Sequence, residues 1–335
     1  MRRTGTTRIF LLLATILCAS PGSGLAAEAF VLEQTIALND VSGRIDHLAV
    51  DLGRRRLFVA ELGNGTLDVI DLASAKPIRR IKGLKEPQGV AYAPDSDVLA
   101  IANGGDGTVR LFHGADLSPA GVVVLGDDAD NVRLDPRTGF LVVGYGSGGL
   151  AVIDPAKART VRRVELSGHP EGFQLDPNGH RAFVNVPDAQ QIAVVDMDAG
   201  RQTAGWHLAE LRSNFPMAFD GAQGIVAIVS RSPPRLVVLD ANSGSQISNL
   251  PSCGDADDAF FDRKRRRIYA SCGDGSIFAW QEEAGQYRQL SSVTTISGAR
   301  TSLFVPELDR LFVAARAGFF GLRSDAAILV LRPID

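Results

Sequence analysis

Sulfur and large aromatic side chains are scarce in this chain: of 335 residues only three are cysteine, three methionine, two tryptophan and four tyrosine. So few cysteines exclude a disulfide-knit scaffold and a multi-cysteine metal cluster. Histidine is also rare, at five, and no pair stands at an H-x-H or H-x3-H spacing that would ligate a transition metal locally. No charge of one sign dominates: 35 basic residues face 38 acidic ones, for a net charge of -3, and nucleic acid is not expected as a partner. A P-loop, a dinucleotide fingerprint, a Ser-His-Asp motif and a haem-attachment C-x-x-C-H are all missing. The glycine-rich stretches Gly104–Gly107 and Gly144–Gly148 have no helix pattern after them to bind phosphate, and they read as tight hairpins. Beyond the N-terminus no apolar run is long enough to span a bilayer, so no membrane anchor is expected.

What is present begins with a leader. Arg2, Arg3 and Arg8 precede an apolar run from Ile9 to Ala19, and small residues follow up to Ala27 and Ala29. This is the pattern of a secretion signal over residues 1–27, with the mature chain from 28 to 335 exported, to the periplasm of a bacterium. Leu17 stands before Cys18 where a lipoprotein site wants a small residue, which speaks against lipidation. Removing the three arginines takes the formal charge from -3 to -6.

The dominant signal is a repeat. Seven openings align: IDHLAVDLGRRRLFVA, PQGVAYAPDSDVLAIA, DNVRLDPRTGFLVVG, PEGFQLDPNGHRAFVN, FPMAFDGAQGIVAIV, DDAFFDRKRRRIYAS and TSLFVPELDRLFVAA. Their turn positions are Asp51, Ala93, Asp135, Asp176, Asp220, Asp262 and Val305, spaced by 41 to 44 residues. Each opening is followed by a third strand such as LDVID, LAVID or IAVVD, and then by a weaker fourth. Four strands per period of this length describe a propeller blade. The expected fold is therefore all-β, a seven-bladed β-propeller of four-stranded antiparallel blades. The seventh repeat has only three strands, so Val31–Leu38, ahead of the first blade, is expected to close the ring as its fourth. A closed ring leaves no free sheet edge, and a monomer is expected. The D-P-x-x-G turns, R-L-F-V-A, G-N-G-T-L-D-V-I-D and G-D-G-T-V resemble the YVTN-repeat β-propeller family, closely its YncE-like branch, over residues 31–335. That resemblance implies the fold and leaves the function open.

In a propeller the loops feeding the innermost strands converge on the axis. The first column of residues there reads Asp46, Gln88, Asp130, Glu171, Phe215, Asp257 and Arg300, and the next reads His47, Gly89, Asn131, Gly172, Pro216, Asp258 and Thr301. Arg44, His169 and Asn214 lie just upstream. These columns vary from blade to blade while the strand bodies stay alike, as a single asymmetric site on the axis would require. The candidate ligand-binding residues are Asp46, His47, Gln88, Asp130, Asn131, His169, Glu171, Asn214, Asp257, Asp258 and Arg300. Several carboxylates of like charge must be neutralised by Arg44 and Arg300 or by a divalent cation such as calcium. Four readings stay open: a solvated channel mouth, a site for a small polar ligand or cation, a metal-assisted lactonase, esterase or lyase, and a docking scaffold for an exported redox or envelope protein. The catalytic reading is similar in logic to gluconolactonase-type and virginiamycin B lyase-type propellers, but no matching motif carries a residue role across.

Two further features complete the reading. Cys253 and Cys272 flank the first two strands of blade six, and antiparallel pairing would bring them together as a disulfide. The basic runs Arg54–Arg56 and Arg263–Arg267 fall in turns on the face opposite the rim and are expected to be solvated there.

Overall fold

The computed structural model describes residues 29–176, 180–318 and 325–335. The leader expected over 1–27, with Cys18, lies outside the described residues. So do the tip of one repeat turn at 177–179 and most of the insertion in the last repeat, at 319–324.

The repeat folds as its pattern dictates. The described residues form seven four-stranded antiparallel sheets, the blades of a β-propeller. From blade one to blade seven the innermost strands are Leu48–Asp51, Pro87–Ala93, Ala129–Leu134, Phe173–Leu175, Arg212–Asp220, Ala256–Asp262 and Ser302–Val305. The second strand of a blade is apolar through its middle because both of its faces are covered; Arg56–Glu61 and Val98–Asn103 are buried along their whole length. The fourth strands look outward, as in Lys76–Lys82 and Arg159–Glu165, which are mostly exposed.

The recurring aspartates are turn-forming devices. At the end of the innermost strand Asp51 accepts the backbone N–H of Arg54 at 3.0 Å, Asp135 that of Arg137 at 3.0 Å, and Asp220 that of Ala222 at 2.9 Å. At the end of the third strand Asp71, Asp196 and Asp240 accept from Ser74, Ala199 and Ser243 in the same way, at 2.8, 2.7 and 2.8 Å. Each carboxylate satisfies turn N–H groups that the sheet ladder leaves free. Blade seven, which has Val305 at this position, turns through a short 3-10 segment, Pro306–Leu308, instead.

Seven apolar clusters hold the ring together, one at each interface between neighbouring blades. The ring is closed by Phe30–Leu38, which pairs antiparallel with Ala326–Pro333 from Phe30 opposite Pro333 to Leu38 opposite Ala326. Its Ile36 and Leu38 enter the cluster between blades seven and one. Cys253 and Cys272 are disulfide-bonded in blade six, with Cα atoms 6.0 Å apart.

One irregularity positions the axial residues. In blades two, three, five and six the innermost strand slips its register across Gln88–Gly89, Asp130–Asn131, Phe215–Pro216 and Asp257. Blades one and four show the same device in their backbone bonds. Asp46 N–H donates to the carbonyl of Ala60, whose own N–H donates to His47, and Glu171 and Gly172 face Asn185 likewise. Two residues therefore oppose one. Such a bulge bends the strand and re-aims side chains, here turning most of the rim residues toward the channel mouth. The close packing of neighbouring rims explains the glycines in these pairs: a Cβ on Gly89 would lie 2.1 Å from the Asp130 carbonyl, and one on Gly172 would lie 2.3 Å from that of Phe215.

Deleting residues 29–38 should abolish the cooperative thermal transition and yield soluble aggregates, because it strips Ala326–Pro333 of its partner and exposes a sheet edge. Size-exclusion chromatography with thermal unfolding reads this out; a monomer melting within a few degrees of the full chain would show that the closing strand is dispensable.

Candidate functional site

The rim pairs converge on a small polar chamber on the axis, lined by Arg44, His47, Asp130, Asn131, Arg133, Glu171 and Asp257 among others, with a volume of about 40 Å³. That is room for no more than a few waters. A larger recess of about 370 Å³ lies beside it between blades four and five, bounded by His169, Glu171, Pro187, Asp188, Gln190, Arg212, Ser213 and Phe215. Glu171 and Phe215 line both spaces and form the wall between them.

Most of the acidic charge is neutralised from within. Asp46, only 1% exposed, lies 2.6 Å from Arg44, and its other oxygen is 3.7 Å from His47 Nε2. Burial, acting against His47 and Arg44, raises the Asp46 carboxyl above its usual range. His47 Nδ1 lies 3.5 Å from Asp258, which also accepts the backbone N–H of Ser302 at 2.8 Å. Burial favours neutral His47, but the surrounding carboxylates of Asp258, Asp46 and Asp130 outweigh it and push the imidazole up to about 10. Asp257 sits between two guanidiniums: Arg231 donates to it at 2.5 Å, and Arg300 Nε makes an ion-pair contact at 2.9 Å. Burial still lifts its carboxyl to about 6. Arg300 also forks onto Asp255 at 2.9 and 3.1 Å, and Arg231 lies with its guanidinium 4.0 Å from the centre of the Phe215 ring.

The other side of the chamber is less well matched. His169 Nδ1 contacts the Gly146 carbonyl at 2.5 Å, and its Nε2 lies 3.9 Å from Asp130. Interaction with Asp130, working against burial and aided by Gly146 and Glu171, raises His169 to about 9. Glu171 makes no side-chain hydrogen bond or ion pair among the described residues; burial, then the nearby Asp130 and Asp257, drive its carboxyl up to about 8. Asn131 is 3% exposed, and its Oδ1 is buried with no partner. Arg133 donates to the carbonyl of Val132 at 2.9 Å and stands over the Phe173 ring at 5.6 Å, but it makes no ion pair among the described residues.

Of the residues singled out from the sequence, His47, Asp130, Asn131, Glu171, Asp257 and Asp258 line the chamber, with Asp46 behind Arg44 and His47, His169 beside it and Arg300 behind Asp257. Two stand apart. Asn214 is fully buried off the channel, its amide donating to Asn185 at 2.8 Å, which in turn holds the carbonyls of Phe215 and Pro216; this network ties blades four and five together. Gln88 lies outside the chamber lining and donates to Asp128 at 3.1 Å. Arg133, Arg231, Gln190 and Arg212 were not singled out. The signal for Arg133 was there: three places beyond the first rim column the channel-facing positions read Ala49, Ala91, Arg133, Gln174, Ala218, Phe260 and Leu303, and arginine is its charged member.

Among the described residues no three histidine, cysteine, aspartate or glutamate side chains are disposed to hold a metal ion. The basic run on the opposite face is taken up in ion pairs: Arg263 with Asp220 at 3.0 Å, Lys264 with Asp309 at 2.9 Å, Arg265 with Asp262 and Asp309, and Arg266 with Glu282. Arg54 and Arg56 share Asp51. No helix among the described residues is long and apolar enough to cross a membrane.

No protein-family model matches the chain, and no curated protein matches it. Solved structures do. A chain in the crystal structure of a mitotic checkpoint complex superimposes with a TM-score of 0.77 at 13% identity, over 98% of this chain and 99% of that one. A chain of the hydrazine synthase of Kuenenia stuttgartiensis gives 0.72 at 14% identity, over 88% of this chain and 96% of that one. At such identities the likeness speaks for the fold.

The raised groups of the rim set a pH dependence. His47, His169, Glu171 and Asp257 all hold their protons to higher pH when folded, near 10, 9, 8 and 6, than their ordinary values of 6.5, 6.5, 4.5 and 3.8. The folded chain thus binds more protons than the unfolded one between about pH 4 and 10, so stability falls as pH rises through that window. Asp51, Asp97 and Asp309, held below their usual range by arginine, tyrosine and backbone partners, contribute stability that is lost under more acid conditions. Calorimetry should therefore find the highest Tm near pH 5 and a steady decline toward pH 10, and His47→Gln should flatten the alkaline part of that decline. A Tm that rises between pH 6 and 9 would contradict this account of the rim.

Proposed function

We propose that this is an exported binding propeller whose axial funnel holds a small polar ligand, with Asn131, Arg133 and Glu171 as the groups that meet it. The family resemblance of its repeat and the form of its leader support export; the site supports binding. The observation that carries the reading is the convergence of three incompletely satisfied groups on one chamber: an acceptor buried without a partner, a carboxyl with no donor, and a guanidinium with no carboxylate. A buried polar atom without a partner costs about 1–3 kcal/mol, and a fold that keeps Asn131 Oδ1 in that state, beside a carboxyl and a guanidinium left without a direct counter-charge, is complementary to something that fills the chamber. Asp46, His47, Asp257, Asp258 and Arg300 serve this site by fixing its shape and balancing its charge. The internal arginines and histidines take the neutralising part for which a divalent cation was the alternative.

The contrast between stability and binding tests the reading. Asn131→Leu removes an unpaired buried acceptor, so the free protein should melt at the same temperature or a few degrees higher. The same change should weaken any ligand by at least about tenfold, near 1.4 kcal/mol. The measurement is a thermal-shift screen of amino acids, sugars and small organic acids on the wild-type chain and on the variant. A variant that melts well below wild type would make Asn131 a structural residue; a ligand that stabilises both chains equally would lie elsewhere.

A further inference from the structure

The axial chamber is too small for the body of a metabolite, and the recess between blades four and five is not. The two meet at Glu171 and Phe215, so a ligand that engages the chamber lies with its bulk in the recess. The polar groups of that recess are unusually free. The side chains of Arg212 and Asp188 are exposed and make no hydrogen bond or ion pair among the described residues. Gln190 Nε2 is a buried donor without an acceptor. Glu171 has no donor. Phe215 and Pro187 supply apolar surface between them.

The signs of these groups decide the ligand class. A simple anion would be set against Asp188 and would keep Glu171 protonated, whereas a cation would displace the proton that burial, Asp130 and Asp257 hold on Glu171 in the empty recess. A simple cation would meet Arg212 and the imidazole of His169. A neutral polyol would take hydrogen bonds but would strip water from charges of both signs without replacing it, which is costly. A molecule with an ammonium and a carboxylate on one short frame answers all of them. Resting on the funnel reading above, we propose that the recess binds an amino-acid-class zwitterion. Its ammonium lies at Glu171 and Asp188, its carboxylate at Arg212 and Gln190 Nε2, and its side chain lies over Phe215 and Pro187.

The proposal is tested with the full mature chain and defined probes. Titration calorimetry would use the twenty common amino acids, and for the tightest binder its decarboxylated amine, its N-acetyl derivative and glucose. The expected result is that at least one amino acid binds with a Kd below about 1 mM. Loss of either charged end should weaken it by about tenfold or more, and glucose should not bind. Arg212→Ala touches an exposed, unpartnered side chain, so it should leave Tm unchanged. It should weaken the amino acid by a similar factor while leaving the decarboxylated amine unaffected. Glu171→Gln should do the reverse, weakening the amine and sparing the N-acetyl derivative. Binding that is indifferent to Arg212→Ala, binding of glucose or of simple anions alone, or no binding by any of the twenty overturns the proposal. The funnel reading is judged separately: it survives any of these results if another ligand is found whose affinity drops with Asn131→Leu, and it falls if that variant unfolds.

Discussion

Every blade of this ring buries both of its faces against its neighbours, and no blade has a core of its own. That is the constraint on which the rest of the structure depends. The apolar clusters lie between blades, so each sheet is stable only with two partners, and the last interface exists only because Phe30–Leu38 completes the seventh sheet. A ring whose parts are held in this way is stiff at its centre. The innermost strands cannot shift individually without opening an interface, and charges placed at their ends are held at fixed distances.

That stiffness is what allows the rim to keep an arrangement that would otherwise relax. Five carboxylates crowd the mouth of a channel, and most are matched by arginine or histidine at ion-pair distance. The matching is uneven. On the side of blades six, seven and one, Asp46, Asp257 and Asp258 are answered by Arg44, Arg231, Arg300 and His47. On the side of blades three and four, Glu171 and Arg133 each lie in the channel without a direct counter-charge, and Asn131 Oδ1 lies without a donor. An imbalance confined to one sector of an otherwise balanced ring gives the site a direction, and that direction points to the recess between blades four and five.

The fold was legible in the sequence because the repeat encodes local chemistry many times over. An aspartate at the end of an innermost strand accepts the N–H groups of the turn it begins, and the same device recurs at Asp51, Asp135, Asp220 and Asp262. The rim columns were legible for a related reason: a bulge in six of the seven blades turns most of the rim residues toward the axis, so variation within the columns is largely variation at one place. What could not be read is which partner each side chain takes. Asn214 lies just upstream of its rim pair as His169 does of Glu171, yet it turns away from the channel, because its amide donates to the side-chain oxygen of Asn185, whose own amide holds the innermost-strand carbonyls of Phe215 and Pro216. The freedom of Glu171 was equally invisible, since it depends on Arg231 of blade five being committed to Asp255 and Asp257 of blade six. Arg133 was visible only as an exception in a column of small and apolar residues, a signal that needs the channel to be drawn before it carries meaning.

The closing strand also orders events in time. Phe30–Leu38 is among the first segments of the propeller to be synthesised, and its partner Ala326–Pro333 is the last. A ribosome working at about 5–20 residues per second must add nearly the whole propeller before that pairing becomes available. The sheets of blades one to six can form as they emerge, but the seventh stays unfinished until Ala326–Pro333 is made, and the two interfaces it shares stay incomplete with it. The chain is therefore committed to a long interval in which it is neither unfolded nor closed, with Phe30, Ile36 and Leu38 uncovered at its leading end. A factor that shields such a strand, or a route that delays the folding of the blades behind it, would have its largest effect during that interval.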